Sequence, residues 1–181
     1  VEYILEKPLS YNGVEVHVYG TEAELIKSNI LLVYNLLDTL PKSWLPLMNR
    51  LNIHSKTFRV GGLFGGKAYA CTWTDGTLEI FKPSMNTEKL MGVIYHEFGH
   101  LLDNECARIN GKNESFFSEI STKWKEAYEK EGGKPVTIYG GVNVKEDFAE
   151  SLKLYMQENE SFRVIHPIRT RIIEEVLAQI D

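Results

Sequence analysis

Within the stretch GVIYHEFGHLLDNE, residues 92–105, two histidines stand four positions apart with a glutamate directly after the first: His96, Glu97 and His100. On an α-helix, positions i and i+4 share one face, so two imidazole nitrogens can meet a single ion. Zn²⁺ suits two neutral imidazoles and a carboxylate, with a fourth position left to water whose pKa falls to about 7. Glu97 would reach that water rather than the ion and take its proton. Leu90, Ile94, Phe98 and Leu101 form an apolar stripe on the opposite side of the same helix, so one side can face core and the other a cleft. Gly99, between the histidines, lowers helix propensity by about 1 kcal/mol relative to alanine. Its bare backbone would let another segment approach closely.

The third ligand is not adjacent. Metzincins continue with a glycine and a further histidine, and Asp103 and Cys106 occupy those places here. Two later glutamates compete. Glu119 follows His100 by 19 positions, near the spacing of thermolysin-like enzymes, but its surroundings read as an ordinary amphipathic helix with a solvated charge. Glu146 follows by 46 positions and forms an i, i+4 pair with Glu150, so both carboxylates project from one helix face. One could bind the ion while the other accepts a ring N–H from a ligating histidine. Asp103, three residues beyond His100, could orient that ring, and a plain surface aspartate fits equally well.

HEFGHLLD, YGGVNVKEDFAES and the C-terminal helical region resemble the catalytic domain of anthrax lethal factor and the related secreted Pro-Pro endopeptidases of clostridia. With GGLFGGKAYACTW and LEIF before the metal helix, the resemblance covers roughly residues 60–181. It implies His96, His100 and Glu146 as ligands of one Zn²⁺ per chain, Glu97 as general base, Tyr139 as oxyanion partner and Glu150 as the residue behind the ligands. Tyr139 lies seven positions before Glu146. A phenol O–H there would supply the second donor that a tetrahedral intermediate needs.

These groups need a scaffold. Val14 to Gly20 alternates like a strand, and Thr21 with Glu24 opens a capping box before a helix that ends near Pro41. A shorter helix is expected from Ser43 to Leu51, then a strand through NIHSKTFRV and a glycine-rich exit at Gly61, Gly62, Gly65 and Gly66 that could form a loop over a cleft. AYACTW and TLEIF flank Thr74-Asp75-Gly76, a hairpin signal. Thr77, Leu78, Glu79, Ile80 and Phe81 are expected to form the sheet edge beside the metal helix, where an extended substrate could add by main-chain hydrogen bonds. Helices are then expected from Asn86 or Thr87 to about Arg108, from Phe117 to Gly132-Gly133, from Val144 to Glu158, and after Pro167. The pattern is α+β: a short twisted mixed sheet with an edge strand beside the H-E-x-x-H helix, then a mainly helical lobe, with residues 1–85 and 86–181 as two lobes of a single domain.

The bulk numbers agree with a globular chain: 181 residues, 43% hydrophobic and 25% charged. A net charge of −5 without basic clusters argues against nucleic acid as a partner. No apolar run reaches the length of a membrane span. Cys71 and Cys106 form no C-x-x-C unit, which excludes a cysteine-rich zinc site, and His17, His54 and His166 lack ligand spacing. The N-terminal stretch does not read as a signal peptide and the sequence does not begin with Met, which suggests a mature or trimmed product; a secreted or extracellular location and a monomer are the separate expectations. The expected activity is zinc-dependent hydrolysis of peptide bonds in an extended protein segment. The alternative is a non-catalytic module of the same fold that binds a peptide or protein and whose metal is structural or absent.

Overall fold

The computed structural model describes residues 8–20, 23–55, 59–60, 66–67, 69–81, 87–113 and 115–181. The chain divides into two compact units, Val1–Ile94 and Tyr95–Asp181. The boundary falls inside a helix, a few residues later than the 85/86 division expected from sequence.

The first unit holds strands β1 (Leu9–Tyr11), β2 (Val14–Tyr19), β3 (Arg50–His54), β4 (Arg59–Val60), β5 (Gly66–Lys67), β6 (Ala70–Thr72) and β7 (Thr77–Ile80), with helix α1 (Ala23–Leu37) after β2. Five strands make one mixed sheet in the order β1-β2-β3-β7-β6, and β4 pairs with β5 apart from it. Parallel register aligns Val16 with Leu51 and Leu78, and Val18 with Ile53 and Ile80. Six buried aliphatic side chains therefore share one face. The opposite face is polar: His17, Asn52, Glu79 and Cys71 stand in one cross-strand row. On it the Glu79 carboxylate accepts from Asn52, His54, Cys71 and Trp73.

This topology corrects one expectation. Thr77–Phe81 is not the sheet edge, because β7 lies between β3, to which it runs parallel, and β6, to which it runs antiparallel. Its main chain pairs with β3 from Thr77 to Ile80 on one side, and on the β6 side Phe81 N donates to Tyr69 O at 3.0 Å and Trp73 N to Thr77 O at 2.9 Å. A substrate strand cannot add there. Among the described residues the outermost strand on that side is β6. The hairpin itself forms as expected, with Gly76 at φ 86° closing the turn through its N–H to Trp73 O at 3.0 Å.

The expected helix from Ser43 is only a 3₁₀ turn, Leu45–Leu47, because Pro46 removes a donor and Arg50 already belongs to β3. The strand expected through NIHSKTFRV ends at His54, and Arg59–Val60 pairs elsewhere. Thr21, Gly61, Gly62, Gly65 and Asn86 lie outside the described residues.

Helix α2 (Thr87–Ile109) carries the motif. The second unit continues with α3 (Phe117–Ile120), α4 (Thr122–Lys130), a 3₁₀ turn at Tyr139–Val142, α5 (Val144–Gln157), α6 (Asn159–Ile165) and α7 (Pro167–Ile180). The single helix expected from Phe117 is two. Ser121 takes extended dihedrals (φ −80°, ψ 116°) and its hydroxyl accepts from Trp124 N, which starts a new helix instead of extending the old one. The core of this unit holds Phe98, Leu102, Trp124, Phe148, Leu152 and Ile173, all buried. Cys71 and Cys106 are both thiols, the first half-buried and the second buried. Among the described residues, no helix is long and apolar enough to cross a membrane.

Candidate metal centre

The candidate site lies within the second unit, between α2 and α5, and one glycine permits it. A Cβ on Gly99 would stand 2.8 Å from Ala149 Cα and 3.1 Å from Ala149 Cβ, closer than packed atoms tolerate. Glycine on one helix and alanine on the other thus bring the two backbones together, and the motif face of α2 meets the first turns of α5. Asn143 fixes where α5 begins: its side chain accepts from Glu146 N at 3.0 Å. That cap sets Glu146 and Asp147 in the first turn, where the helix dipole favours negative charge.

Three ligand atoms converge. His96 Nε2 lies 2.9 Å and His100 Nε2 3.2 Å from the same Glu146 oxygen, Oε2. The two imidazole rings stand nearly perpendicular, at 85° with centroids 4.9 Å apart. All three ligand atoms fall within 4.8 Å of one another. Oε2 is buried, yet neither imidazole meets it at a hydrogen-bonding angle. An orphaned buried oxygen beside two nitrogens is what a cation would satisfy. Atoms bound at about 2.0–2.2 Å around a tetrahedral ion lie roughly 3.4 Å apart, close to the spacing here, and N,N,O is a donor set that zinc accepts. The residues fit such an ion.

Glu150 stands behind His96. Its Oε2 is 3.1 Å from His96 Nδ1 and 3.2 Å from Lys153 Nζ, and its Oε1 accepts from Thr137 Oγ1 at 3.0 Å. In the neutral imidazole, Nδ1–H directed to Glu150 leaves the lone pair of Nε2 facing the convergence point. Burial raises the carboxyl pKa of Glu146, but His100 and His96 outweigh it and hold the group at about 2. Burial acts likewise on Glu150, and His96 with Lys153 brings it to about 2. For His96 the signs reverse: burial depresses it, while Glu146 and Glu150 lift it to about 9.

Tyr139 opens the 3₁₀ turn, half-exposed, with its ring centroid 5.6 Å from that of His96. Burial and then the charges of Glu146, Glu97 and Glu150 push its phenol up to about 12, so it stays a donor at neutral pH. Glu97 is buried, and its charge acts on both His96 and Tyr139.

Of the residues singled out from sequence, Glu97, Tyr139, Glu146 and Glu150 thus gather around the two histidines. Glu119 does not: its carboxylate is half-exposed and 3.7 Å from Lys145 Nζ. Asp103 is fully buried rather than on the surface, and it does not orient the ring of His100 by a hydrogen bond. Its two oxygens accept from Ser118 N at 2.7 Å and Ser118 Oγ at 2.6 Å. Burial raises its carboxyl to about 7 against the bonds from Ser118 and the charge of His100. Its geometric task is to tie α2 to the start of α3.

Sequence reading missed Thr137, Lys153 and Asn143. Thr137 sits in an aperiodic loop, where nothing flags it; its Oγ1 also accepts from Gly140 N at 3.0 Å and so joins Glu150 to the turn that carries Tyr139. Asn143, three residues before a glutamate at a helix start, carried a capping signal that was legible.

Compared with known proteins, the chain matches no family model, and no curated protein matches it in sequence.

Proposed function

We propose that this chain is a zinc metalloendopeptidase that hydrolyses peptide bonds in an extended protein segment. The observation that supports it most is the convergence of His96 Nε2, His100 Nε2 and Glu146 Oε2 beside Glu97 and Tyr139, with that buried oxygen left without a hydrogen bond. His96, His100 and Glu146 would hold the zinc. When bound, the ion supplies Lewis acidity that acidifies a water and polarises the scissile carbonyl.

The remaining work falls to side chains. Glu97, which is not among the converging ligands, takes the proton of the attacking water and passes it to the leaving amine. Tyr139 keeps its proton because its pKa stands at about 12, and it donates to the oxygen on which negative charge develops. Glu150 holds His96 in the tautomer that presents Nε2, and Thr137 holds Glu150. A peptidase leaves the fourth position of its metal open, whereas a structural zinc site fills it with protein. Among the described residues three protein ligands converge, not four, and that favours the catalytic reading over a binding module. The resemblance in sequence adds a secreted setting to this reading.

The test is zinc stoichiometry together with turnover of an unstructured protein such as casein, or of a peptide library, before and after chelation. One zinc per chain and chelator-sensitive cleavage are expected. Glu97→Ala should keep the metal and the fold and lose at least 10²-fold in kcat, the usual scale of a general base. Stoichiometric zinc without cleavage of any peptide would favour the binding module.

A further inference from the structure

Arg169, on α7, is fully buried, and a guanidinium without solvent needs partners. Its Nη1 donates to Glu131 Oε2 at 2.9 Å, and its Nη2 donates to Lys134 O at 3.0 Å and to Asp147 Oδ2 at 3.2 Å. The guanidinium carbon lies 5.2 Å from the ring centre of Tyr128 and 5.8 Å from that of Trp124. Asp147 also accepts from Val136 N at 3.0 Å, through its other oxygen. Glu131, in turn, caps the start of α7 by accepting from Ile168 N at 2.6 Å and Arg169 N at 3.1 Å.

These partners follow an order along the chain. Glu131 closes α4, Lys134 and Val136 lie in the aperiodic connection, and Asp147 stands in the first turn of α5, next to Glu146. One cation therefore fastens both ends and the near half of the segment on which Thr137 and Tyr139 ride. The far half is fitted to the same anchor, since a Cβ on Gly140 would come within 3.2 Å of Asp147 Cα. Backbone bonds close the end of α4 at residues 131–133, and residues 134–138 beyond them lie outside regular secondary structure, where side chains supply the anchor.

We propose that Arg169 is a positioning residue: it holds the connection so that Thr137 reaches Glu150, Tyr139 stays beside His96, and Glu146 keeps its angle to the histidines. Its consequence for turnover rests on the peptidase reading above; its consequence for the loop and the metal does not. Arginine is required here because its planar fork serves two carboxylates and a carbonyl at once, which a lysine ammonium on a single stem cannot do.

The experiment uses the whole chain with Arg169→Lys and, as the gentler partner, Glu131→Gln, which keeps side-chain shape. Three quantities are read: amide hydrogen exchange of residues 134–142 and 94–105 in the metal-free protein, zinc Kd by competition with a chromogenic chelator, and kcat on a peptide substrate. In folded Arg169→Lys, exchange over 134–142 should quicken at least tenfold while 94–105 stays unchanged. Zinc should bind about 10–100-fold more weakly, the usual scale when the groups behind metal ligands are disturbed. Glu131→Gln should move both in the same direction by less. Unchanged loop exchange and unchanged Kd in a folded Arg169→Lys protein overturn the proposal. So does uniform acceleration across the unit in both variants, which makes Arg169 a general core residue. A wild-type protein whose zinc affinity and loop exchange respond as expected, yet which cleaves no peptide, sinks the peptidase reading and leaves the clamp standing.

Discussion

Replacing Tyr139 by phenylalanine removes one oxygen atom and separates chemistry from architecture. The ring remains, so its packing 5.6 Å from the His96 ring should persist. The residue is half-exposed, and among the described residues none hydrogen-bonds to its hydroxyl. The stability change should therefore stay below about 1 kcal/mol, which for a chain of this size means less than about 2–4 °C in Tm. Zinc content should not change, since His96, His100 and Glu146 are untouched. The phenol is held up to about 12 by burial and by the carboxylates of Glu146, Glu97 and Glu150, so at pH 7 it is always protonated and always able to donate. A donor to the developing oxyanion is worth about 10²–10³ in kcat, or roughly 2.7–4 kcal/mol. KM should hardly move, because the bond forms mainly in the transition state. Steady-state kinetics, metal analysis and a thermal melt on one preparation decide the matter. Unchanged kcat with full zinc would refute the oxyanion role. Loss of zinc or a melt lowered by tens of degrees would make Tyr139 a structural residue.

Glu146→Ala should lower zinc retention after mild chelation, whereas Glu119→Ala should leave it at the wild-type level; the reverse pattern, measured by metal analysis, would move the third ligand to α3. Gly99→Ala forces a methyl group to 2.8 Å from Ala149 Cα, so it should destabilise by about 1–3 kcal/mol in denaturant titration and weaken zinc binding in parallel; a neutral change would show that α2 and α5 can separate freely. The pH dependence of metal-free stability should have two limbs. Glu146 and Glu150 are depressed to about 2, so their contribution is present above about 4.5 and lost as pH falls towards 2. His96 is raised to about 9, so its contribution is full below about 6.5 and lost as pH climbs through 9. Zinc must displace that same proton, so its apparent affinity should strengthen, by up to about tenfold per pH unit, over this upper range; an affinity independent of pH between 7 and 9 would contradict the proton on His96.

Local rules made several features legible in advance. The i, i+4 spacing of His96 and His100, and that of Glu146 and Glu150, fixed which side chains share a face as soon as α2 and α5 formed, and helix formation there follows from period and caps. Thr74-Asp75-Gly76 announced the hairpin because only a small set of residues fits such a turn. The α+β order could be read from the change of period along the chain. What pairs with what is a different kind of question. That β7 is interior rather than an edge depends on β3 and β6 flanking it, and no property of the TLEIF segment encodes its neighbours. Asp103 stands on the histidine side of α2, yet Ser118 of another element takes its oxygens. Between Glu119 and Glu146, helical period alone cannot choose. The choice is made by the bare backbone of Gly99 against Ala149, which sets α5 and not α3 behind the histidines. Arg169 makes the same point more strongly: in sequence it is an unremarkable cation on an amphipathic helix. Its partners lie 22 to 38 residues away, so only the closed fold could gather them around it.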